Sequence, residues 1–278
     1  MTIQWYPGHM TRAKRKLEEQ LRWVDAVLEL GDARLPQSSR NPLLQNLLKK
    51  KPKLLLLNKA DLADSRKTEQ WLARLRTECP VIAVSAQTNS GIKRIVPLLE
   101  EIMADKLERL ALKGVRGRPL RVMVVGIPNI GKSSLINRLT GGAQAKTGNK
   151  PGVTKGNQWI RIHQKVELLD TPGMLWPKFD DLEIGRKLAA TGAVRDEVFD
   201  QEELAAWLLG WLSLNYPQDL RAHYDLTLEE MNLESIGRKR GCLVSGGRVD
   251  TLKASQIFLR EFRSGKIAKV TMDELNER

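Results

Sequence analysis

Short apolar runs alternate with segments of helical spacing along the first 178 residues. Residues 52–58 form a mostly apolar run bounded by turn signals, which is typical of a strand buried on both faces of a parallel sheet. Comparable strands are predicted at 24–30, 81–86, 122–126, 158–163 and 165–169, with helices at 64–78, 92–113 and 132–141. The alternation predicts an α/β domain with a mainly parallel sheet and helices on both faces.

The last hundred residues follow a different pattern. Residues 202–212 and 254–263 are predicted to be amphipathic helices, and no motif of catalytic chemistry accompanies them. Four aromatic side chains recur at helical spacing, which favours a core position over a base-stacking surface: Trp207, Trp211, Phe258 and Phe262. We therefore predict an α/β domain over 1–178, including a basic N-terminal helix, followed by a small all-helical domain over 179–278.

The composition narrows the class of protein. With 278 residues and 41% hydrophobic positions, the chain can bury one large and one smaller core. It has no apolar run of about 18 residues and does not open like a signal peptide, so a cytoplasmic location without membrane contact is expected. Two distant cysteines, Cys79 and Cys242, are expected to be buried free thiols.

Positive charge is concentrated in the first part of the chain. Lys and Arg outnumber Asp and Glu by 32 to 15 over residues 1–178, a net +17, whereas 179–278 carry 14 against 18, a net −4. Such a surplus exceeds what solubility requires and favours a polyanion such as RNA as partner. A smaller basic patch occurs at 238–240, and the main basic positions are Arg12, Lys14, Arg15, Lys16, Lys49, Lys50 and Lys51.

A glycine-rich loop joins the strand at 122–126 to the helix at 132–141, with the spacing Gly-x-x-x-x-Gly-Lys-Ser. This context predicts a phosphate-binding loop, because its backbone N–H groups turn inward at a helix N-terminus. Lys132 is expected to reach the β- and γ-phosphates, and the Ser133 hydroxyl to ligate Mg²⁺. A metabolic kinase or ATPase would use the same loop. The further nucleotide contacts expected here are Asn129, Ile130, Gly131 and Ser134.

Two short motifs at strand ends distinguish guanine from adenine. In the motif at 58–61, the Asp61 carboxylate can accept hydrogen bonds from guanine N1–H and the 2-amino group, a pair that adenine lacks. The motif at 85–86 can offer a backbone N–H to guanine O6. Both favour GTP over ATP and argue against the kinase alternative. The residues expected at the base are Asn58, Lys59, Asp61, Ser85 and Ala86.

Two later segments are expected to respond to the γ-phosphate. Residues 141–156 contain few apolar anchors, and Thr154 among them is a candidate second Mg²⁺ ligand or an ordinary loop threonine. After the strand at 165–169, Asp170 can hold Mg²⁺ through water and the Gly173 N–H can sense the γ-phosphate. Residues 173–178 then lead into the helical domain and are a candidate hinge.

These motifs are the five sequence elements of GTPases, but the guanine pair precedes the phosphate set, the reverse of Ras-like proteins. With the segments 5–10 and 170–177, this order resembles the ribosome biogenesis GTPase A family over residues 1–178. The resemblance implies a circularly permuted P-loop GTPase domain that uses GTP, GDP and Mg²⁺ and binds the large ribosomal subunit through its rRNA. DNA is not an expected partner, and a monomer is expected. A GTP-dependent RNA-binding scaffold with negligible turnover is the alternative.

Three residues are interpreted by comparison with related GTPases. Where Ras-like proteins place a glutamine that orients the attacking water, this chain has Met174, so slow intrinsic hydrolysis is expected. His9 matches the histidine of the family's Pro-Gly-His-Met stretch and is the catalytic candidate, with a structural or RNA-contacting role as the alternative. Asn129 matches an asparagine that related GTPases use to hold K⁺, and its alternative is a loop-stabilising role.

Overall fold

The described part of the chain contains a six-stranded sheet. The computed structural model describes residues 15–49, 51–115, 117–141, 159–169 and 181–275. The strands lie in the order β3-β2-β1-β4-β6-β5, all parallel to their neighbours except the edge strand β5. This confirms the predicted mainly parallel sheet. In chain order the strands are β1 (Ala26–Asp32), β2 (Lys53–Asn58), β3 (Val81–Ala83), β4 (Leu120–Val125), β5 (Trp159–His163) and β6 (Val166–Leu169).

Side chains alternate between the two faces of this sheet, as the period of two in a strand requires. On β1, Leu28 and Leu30 enter the main core, whereas Val27 enters a smaller cluster with Leu17 and Leu44. Every residue of β1 is buried. Because both faces are covered, β1 and β2 carry apolar side chains at consecutive positions instead of alternating with polar ones.

Helices cover both faces of the sheet and form the C-terminal part. The predicted helix over 92–113 is divided at Met103, because α4 packs on the sheet with Ile95 and Leu99 buried while α5 has no buried residue. The helices are α1 (15–21), α2 (Pro42–Leu48), α3 (Ser65–Leu75), α4 (Ile95–Ile102), α5 (Ala104–Leu112), α6 (Lys132–Leu139), α7 (Leu182–Ala190), α8 (Gln201–Asn215), α9 (Pro217–Tyr224), α10 (Leu233–Lys239) and α11 (Thr251–Arg263).

The helical part α7–α11 shares its core with the α/β part. Phe258 and Phe262 are buried, which confirms them as core residues, while Trp207 and Trp211 are half-buried and pack against the same cluster. That cluster also contains Leu28 of β1. The hydrophobic core is therefore continuous across the predicted domain boundary at 178/179, and the boundary itself stays a prediction.

Two smaller expectations concern thiols and membranes. Cys79 and Cys242 are both buried with free thiols, as predicted. None of the helices within the described ranges has the length and apolar character that a membrane crossing needs.

Candidate nucleotide-binding site

Loops after four parallel strands meet at the carboxyl edge of the sheet, where ligands of α/β proteins bind. β1, β2 and β3 lead to Asp32, Asn58 and Ser85, and β4 leads into the glycine-rich loop 126–131. The sequence-predicted residues that lie together here are Asn58, Lys59, Ala86, Asn129, Ile130, Gly131 and Lys132. Four further residues of the predicted site lie outside the described part of the chain: His9, Thr154, Asp170 and Gly173.

The phosphate loop has a backbone that only glycine accommodates at its end. Gly131 has φ +98°, and it precedes the first residue of α6. A Cβ at this position would overlap the side-chain amide nitrogen of Asn58. Glycine is thus required both by conformation and by space. Ser133 and Ser134 are exposed on the first turn of α6, where the helix leaves backbone N–H groups available to an anion.

Lys132 is buried within the same loop. Its Nζ donates to the carbonyl oxygens of Ile127 at 2.8 Å and Gly126 at 3.2 Å. Loop N–H groups, one lysine and two serine hydroxyls form a donor set that fits a polyphosphate. For Mg²⁺, the described residues contribute the oxygen of Ser133, whereas no group of three or more His, Cys, Asp or Glu side chains suited to a metal occurs among them.

Asn58 joins the two halves of the site. Its buried side chain donates through Nδ2 to the Ile130 carbonyl at 2.9 Å and accepts through Oδ1 from the Ala86 N–H at 3.1 Å. One amide therefore holds the phosphate loop against the loop after β3. The Ala86 N–H already donates to Asn58. To bond guanine O6 as predicted, this N–H must either donate to both acceptors or leave Asn58, so the hydrogen bond to guanine stays a prediction.

A buried charge cluster supports the phosphate loop from the next strand. Lys59 has φ +60°, donates to the Asn129 carbonyl at 2.9 Å and lies 3.2 Å from Asp32. Arg34 contacts the same carboxylate through two nitrogens, at 3.0 and 2.8 Å. Burial alone would raise the pKa of Asp32, but Arg34 and Lys59 outweigh it and keep that pKa well below its usual range.

Burial acts in the opposite direction on Lys59. It lowers the pKa of Lys59, and the neighbouring Asp32 offsets this only in part. Sequence reasoning missed Asp32 and Arg34. The available signal was an Asp-x-Arg sequence directly after a strand that is buried throughout.

Asp61 lies in the 3₁₀ turn Ala60–Leu62 that follows β2, and it is half-exposed. Among the described residues none donates a hydrogen bond to its carboxylate. The neighbouring loop is held by Arg138 of α6, which donates to the carbonyls of Ala86 at 3.0 Å and Gln87 at 3.1 Å. Sequence reasoning also missed Arg138, because an arginine on a helix surface carries no local signal of such a contact.

Asn129 connects the phosphate loop to the helical part. Its Nδ2 donates to the carbonyl of Gly192, in the turn after α7, at 3.0 Å. The two residues line a cavity of about 650 Å³ together with Asp196 and Arg263. This contact corresponds to the loop-stabilising alternative, and the K⁺ role of Asn129 stays a prediction.

Known proteins resemble this chain in sequence and in structure. A family model described as 50S ribosome-binding GTPase matches residues 121–233. Ribosome biogenesis GTPase A of Priestia megaterium is 46% identical over 100% of this chain and 98% of its own length. The chain belongs to the ribosome biogenesis GTPase A family. Mitochondrial ribosome-associated GTPase 1 of Mus musculus is 36% identical, over 97% of this chain and 90% of its own.

Solved structures agree with membership of the ribosome biogenesis GTPase A family. GNP-bound YlqF from T. maritima superimposes with a TM-score of 0.69 and 27% identity, covering 96% of this chain and 100% of that one. The GDP-bound form gives a TM-score of 0.67 at 26% identity, covering 95% and 100%. The predicted permuted P-loop GTPase fold with a helical C-terminal part is therefore confirmed.

The matched range of the family model illustrates the permutation. It begins within β4, at the strand that leads into the phosphate loop, and leaves out the guanine motifs at 58–61 and 85–86. In this chain these motifs come before the phosphate loop, yet the sheet brings them to it, because strand neighbours and not chain order determine which loops meet.

Proposed function

We propose that this chain is a GTP-hydrolysing assembly factor of the large ribosomal subunit. It acts as a monomer in the cytoplasm, binds the subunit precursor through rRNA, and changes its hold on that particle when GTP is hydrolysed. The observation that carries the proposal is the Asn58 amide, which unites a phosphate-binding loop with a guanine-reading loop. The ribosomal part of the proposal is supported by the description of the matching family model, 50S ribosome-binding GTPase, and by the name of the relative mitochondrial ribosome-associated GTPase 1.

Each predicted site residue has a role in this proposal. The base is held by Asp61 and the loop 85–86, while Lys132 and the N–H groups of 129–134 bind the phosphates. Ser133, with Thr154 and Asp170, would hold Mg²⁺, which neutralises charge that develops on the phosphates during transfer. The Gly173 N–H senses the γ-phosphate. Asn129 would help to hold K⁺, and equal turnover in K⁺ and Na⁺ at matched ionic strength would exclude that role.

The RNA-binding surface is proposed at the opposite edge of the sheet from the nucleotide. There a cavity of about 580 Å³ has an apolar wall that includes Pro52 and Met103, and its cationic lining residues are Lys51, Lys106, Arg109 and Lys113. Cations that line an apolar wall suit an RNA strand, whose phosphates need positive charge and whose bases have flat apolar faces. This extends the predicted basic surface, of which Arg15, Lys16, Lys49 and Lys51 are described and exposed or half-buried.

Of the two acidic residues that line this cavity, the exposed Asp105 and the buried Asp25, Asp25 is already paired with cations. Asp25 pairs with Lys106 at 2.8 Å and Arg118 at 2.6 Å, and it accepts from the Arg121 N–H. Burial would raise the pKa of Asp25, but these partners outweigh it and lower the pKa. Burial, and to a lesser extent the nearby charge of Lys106, lowers the pKa of Lys51, and Asp25 offsets this only in part. The basic residues at 238–240 are all engaged in ion pairs, with Glu234, Asp225 and Glu261, whereas Arg109 and Lys113 of the cavity lining are exposed.

Co-sedimentation with ribosomal particles tests the proposal. Large-subunit precursors are incubated with the chain and either GDP or a non-hydrolysable GTP analogue, and GTP turnover is measured with and without particles. We expect retention with the analogue, release with GDP, and turnover that the particle stimulates. Equal retention in both states with no stimulated turnover would instead identify a GTP-dependent scaffold.

His9→Ala tests the catalytic assignment within this scheme. The variant should bind GTP normally but lose particle-stimulated hydrolysis by a factor on the order of 10², if His9 positions the attacking water that Met174 cannot orient. Full stimulated turnover in His9→Ala would assign catalysis to the particle or to another group.

A further inference from the structure

The last described residues return from the helical part to the nucleotide-binding edge of the sheet. After α11 and the turn at Gly265, residues 266–275, here called the C-terminal strap, run across the loops that follow β1 and β2. Val270, Met272 and Asp273 of the strap are each 1% exposed. The Met272 N–H donates to the Arg34 carbonyl at 2.8 Å, so the strap contacts the charge cluster beneath the phosphate loop.

One residue of the strap anchors it firmly. The Asp273 carboxylate accepts hydrogen bonds from the N–H of Gln37 at 2.8 Å, the N–H of Ser38 at 2.7 Å and the Ser38 hydroxyl at 2.5 Å. The Asp273 carbonyl accepts from the indole of Trp71 on α3. Because three donors converge on this one side chain and a fourth on its carbonyl, this end of the strap is fixed relative to the loop after β1 and to α3.

The strap and the turn at Gly265 that precedes it both lie against Leu62, the residue that directly follows the guanine motif at 58–61. The Val270 N–H donates to the Leu62 carbonyl at 3.1 Å. At Gly265, which has φ +70°, a Cβ would lie 2.8 Å from Leu62 Cδ2. Leu62 ends the 3₁₀ turn Ala60–Leu62, so it is bonded directly to Asp61. A shift of the strap therefore moves the residue next to the carboxylate.

From these contacts we infer that the C-terminal strap positions Asp61 and thereby sets the selectivity of the site for guanine. The strap is a positioning element, because it touches the turn and not the base. The inference rests on the proposed reading of guanine by Asp61. Since the strap continues from α11, the helical part is coupled to the base as well as to the phosphate loop.

Gly265→Ala and Gly241→Ala form a matched pair for the test. Each glycine follows the last residue of a helix and its cap, with φ +70° and +68°, so alanine introduces similar backbone strain at both. At Gly241 a Cβ meets nothing within 4 Å, whereas at Gly265 it presses on Leu62. Asp273→Asn, which turns a carboxylate oxygen facing N–H groups into a donor, is a second and independent perturbation of the strap.

The measured quantity is the ratio of the affinities for GDP and for IDP, the inosine diphosphate. Competition with fluorescent GDP gives both affinities, at a temperature where circular dichroism shows each variant folded. Inosine lacks the 2-amino group, so the ratio reports one of the two hydrogen bonds to Asp61, and a general loss of stability leaves it unchanged. We expect the ratio to fall by about threefold or more in Gly265→Ala and Asp273→Asn and to stay unchanged in Gly241→Ala.

Asp61→Asn, measured in parallel, separates the two levels of the argument. If Asp61→Asn abolishes the GDP preference while the ratio in both strap variants equals that of the unsubstituted chain, the strap inference is wrong and the guanine assignment stands. An equal fall in Gly241→Ala would also overturn the inference, because strain alone would then explain the effect. If Asp61→Asn keeps the GDP preference, the reading of guanine by Asp61 is itself wrong.

Discussion

At the scale of single residues, Asn58 holds the two loops of the site together. Its amide makes one bond to each of the two loops, at Ile130 and at Ala86. Both bonds are buried, so removing either leaves a polar group without water, at a cost of about 1–3 kcal/mol. The phosphate and guanine halves are therefore expected to respond together to substitutions around Asn58.

Gly131→Ala tests this dependence. The added Cβ overlaps the Asn58 amide and the residue must keep φ +98°, so we expect GDP affinity to fall by about tenfold or more. The control is Gly117→Ala, which has φ +76° and open space around the new Cβ. Titration calorimetry compares the two. A similar affinity in both variants would show that the contact with Asn58 is not needed for nucleotide binding.

Asp61→Asn tests guanine recognition. It replaces one acceptor with a donor that faces guanine, so GTP affinity should fall by about 2 kcal/mol, roughly thirtyfold, while xanthine nucleotides gain affinity. Glu69→Gln on the exposed side of α3 removes the same charge without touching the site. Fluorescent-nucleotide competition gives both affinities, and GTP binding of Asp61→Asn at the level of Glu69→Gln would contradict the assignment.

At the scale of elements, sequence periodicity predicted the strands well and the contacts between elements poorly. β2 is an apolar run that only a doubly covered strand explains, and the motif at 58–61 is chemically specific. The division at Met103 depends on which helix reaches the sheet, and the contact of Arg34 with Thr191 joins residues far apart in the chain. Such pairings arise from tertiary packing, which local spacing does not encode.

One such pairing links three helices through Glu261 of α11. Its carboxylate accepts from Arg240 at 2.8 Å and from the Tyr224 hydroxyl at 2.7 Å, and His223 lies 3.1 Å away. Burial would raise the pKa of Glu261, but these partners outweigh it and lower the pKa from its ordinary 4.5. The same burial and the Glu261 contact raise the pKa of Tyr224. The helices α9, α10 and α11 thus share one charged centre.

The lowered pKa of Glu261 gives a pH prediction with a definite sign. A depressed carboxyl pKa stabilises the fold above the unfolded value, near 4.5, and that contribution is lost as the pH falls through the lower folded value. Glu261→Gln should cost about 2 kcal/mol at pH 7 and show a smaller loss of Tm between pH 5 and pH 3. Thermal melts monitored by circular dichroism check this. Parallel pH curves for the two proteins would exclude Glu261 as a contributor.

At the scale of the whole molecule, the sheet separates the proposed nucleotide site from the proposed RNA surface. Its carboxyl edge carries the nucleotide loops, and its amino edge carries the cations of the cavity beside α5. The permuted chain order leads the switch segment toward the helical part, which contacts the phosphate loop through Gly192 and the guanine turn through the C-terminal strap. In the proposed scheme, a particle bound at the amino edge would leave the nucleotide edge open to exchange.

The amino-edge surface predicts a measurable salt dependence. Arg109 and Lys113 are exposed at the cavity. The double variant Arg109→Ala, Lys113→Ala should therefore bind an rRNA fragment more weakly. It should also reduce the slope of log K against log salt by about 1.4 to 1.8, because each lost phosphate contact removes about 0.7 to 0.9. The control removes two exposed cations of α11, Lys253→Ala and Arg260→Ala, and should leave the slope unchanged. Filter binding between low and physiological salt gives both slopes, and GDP affinity should be equal in the two variants. A slope that falls only in the α11 variant would move the RNA surface to the helical part.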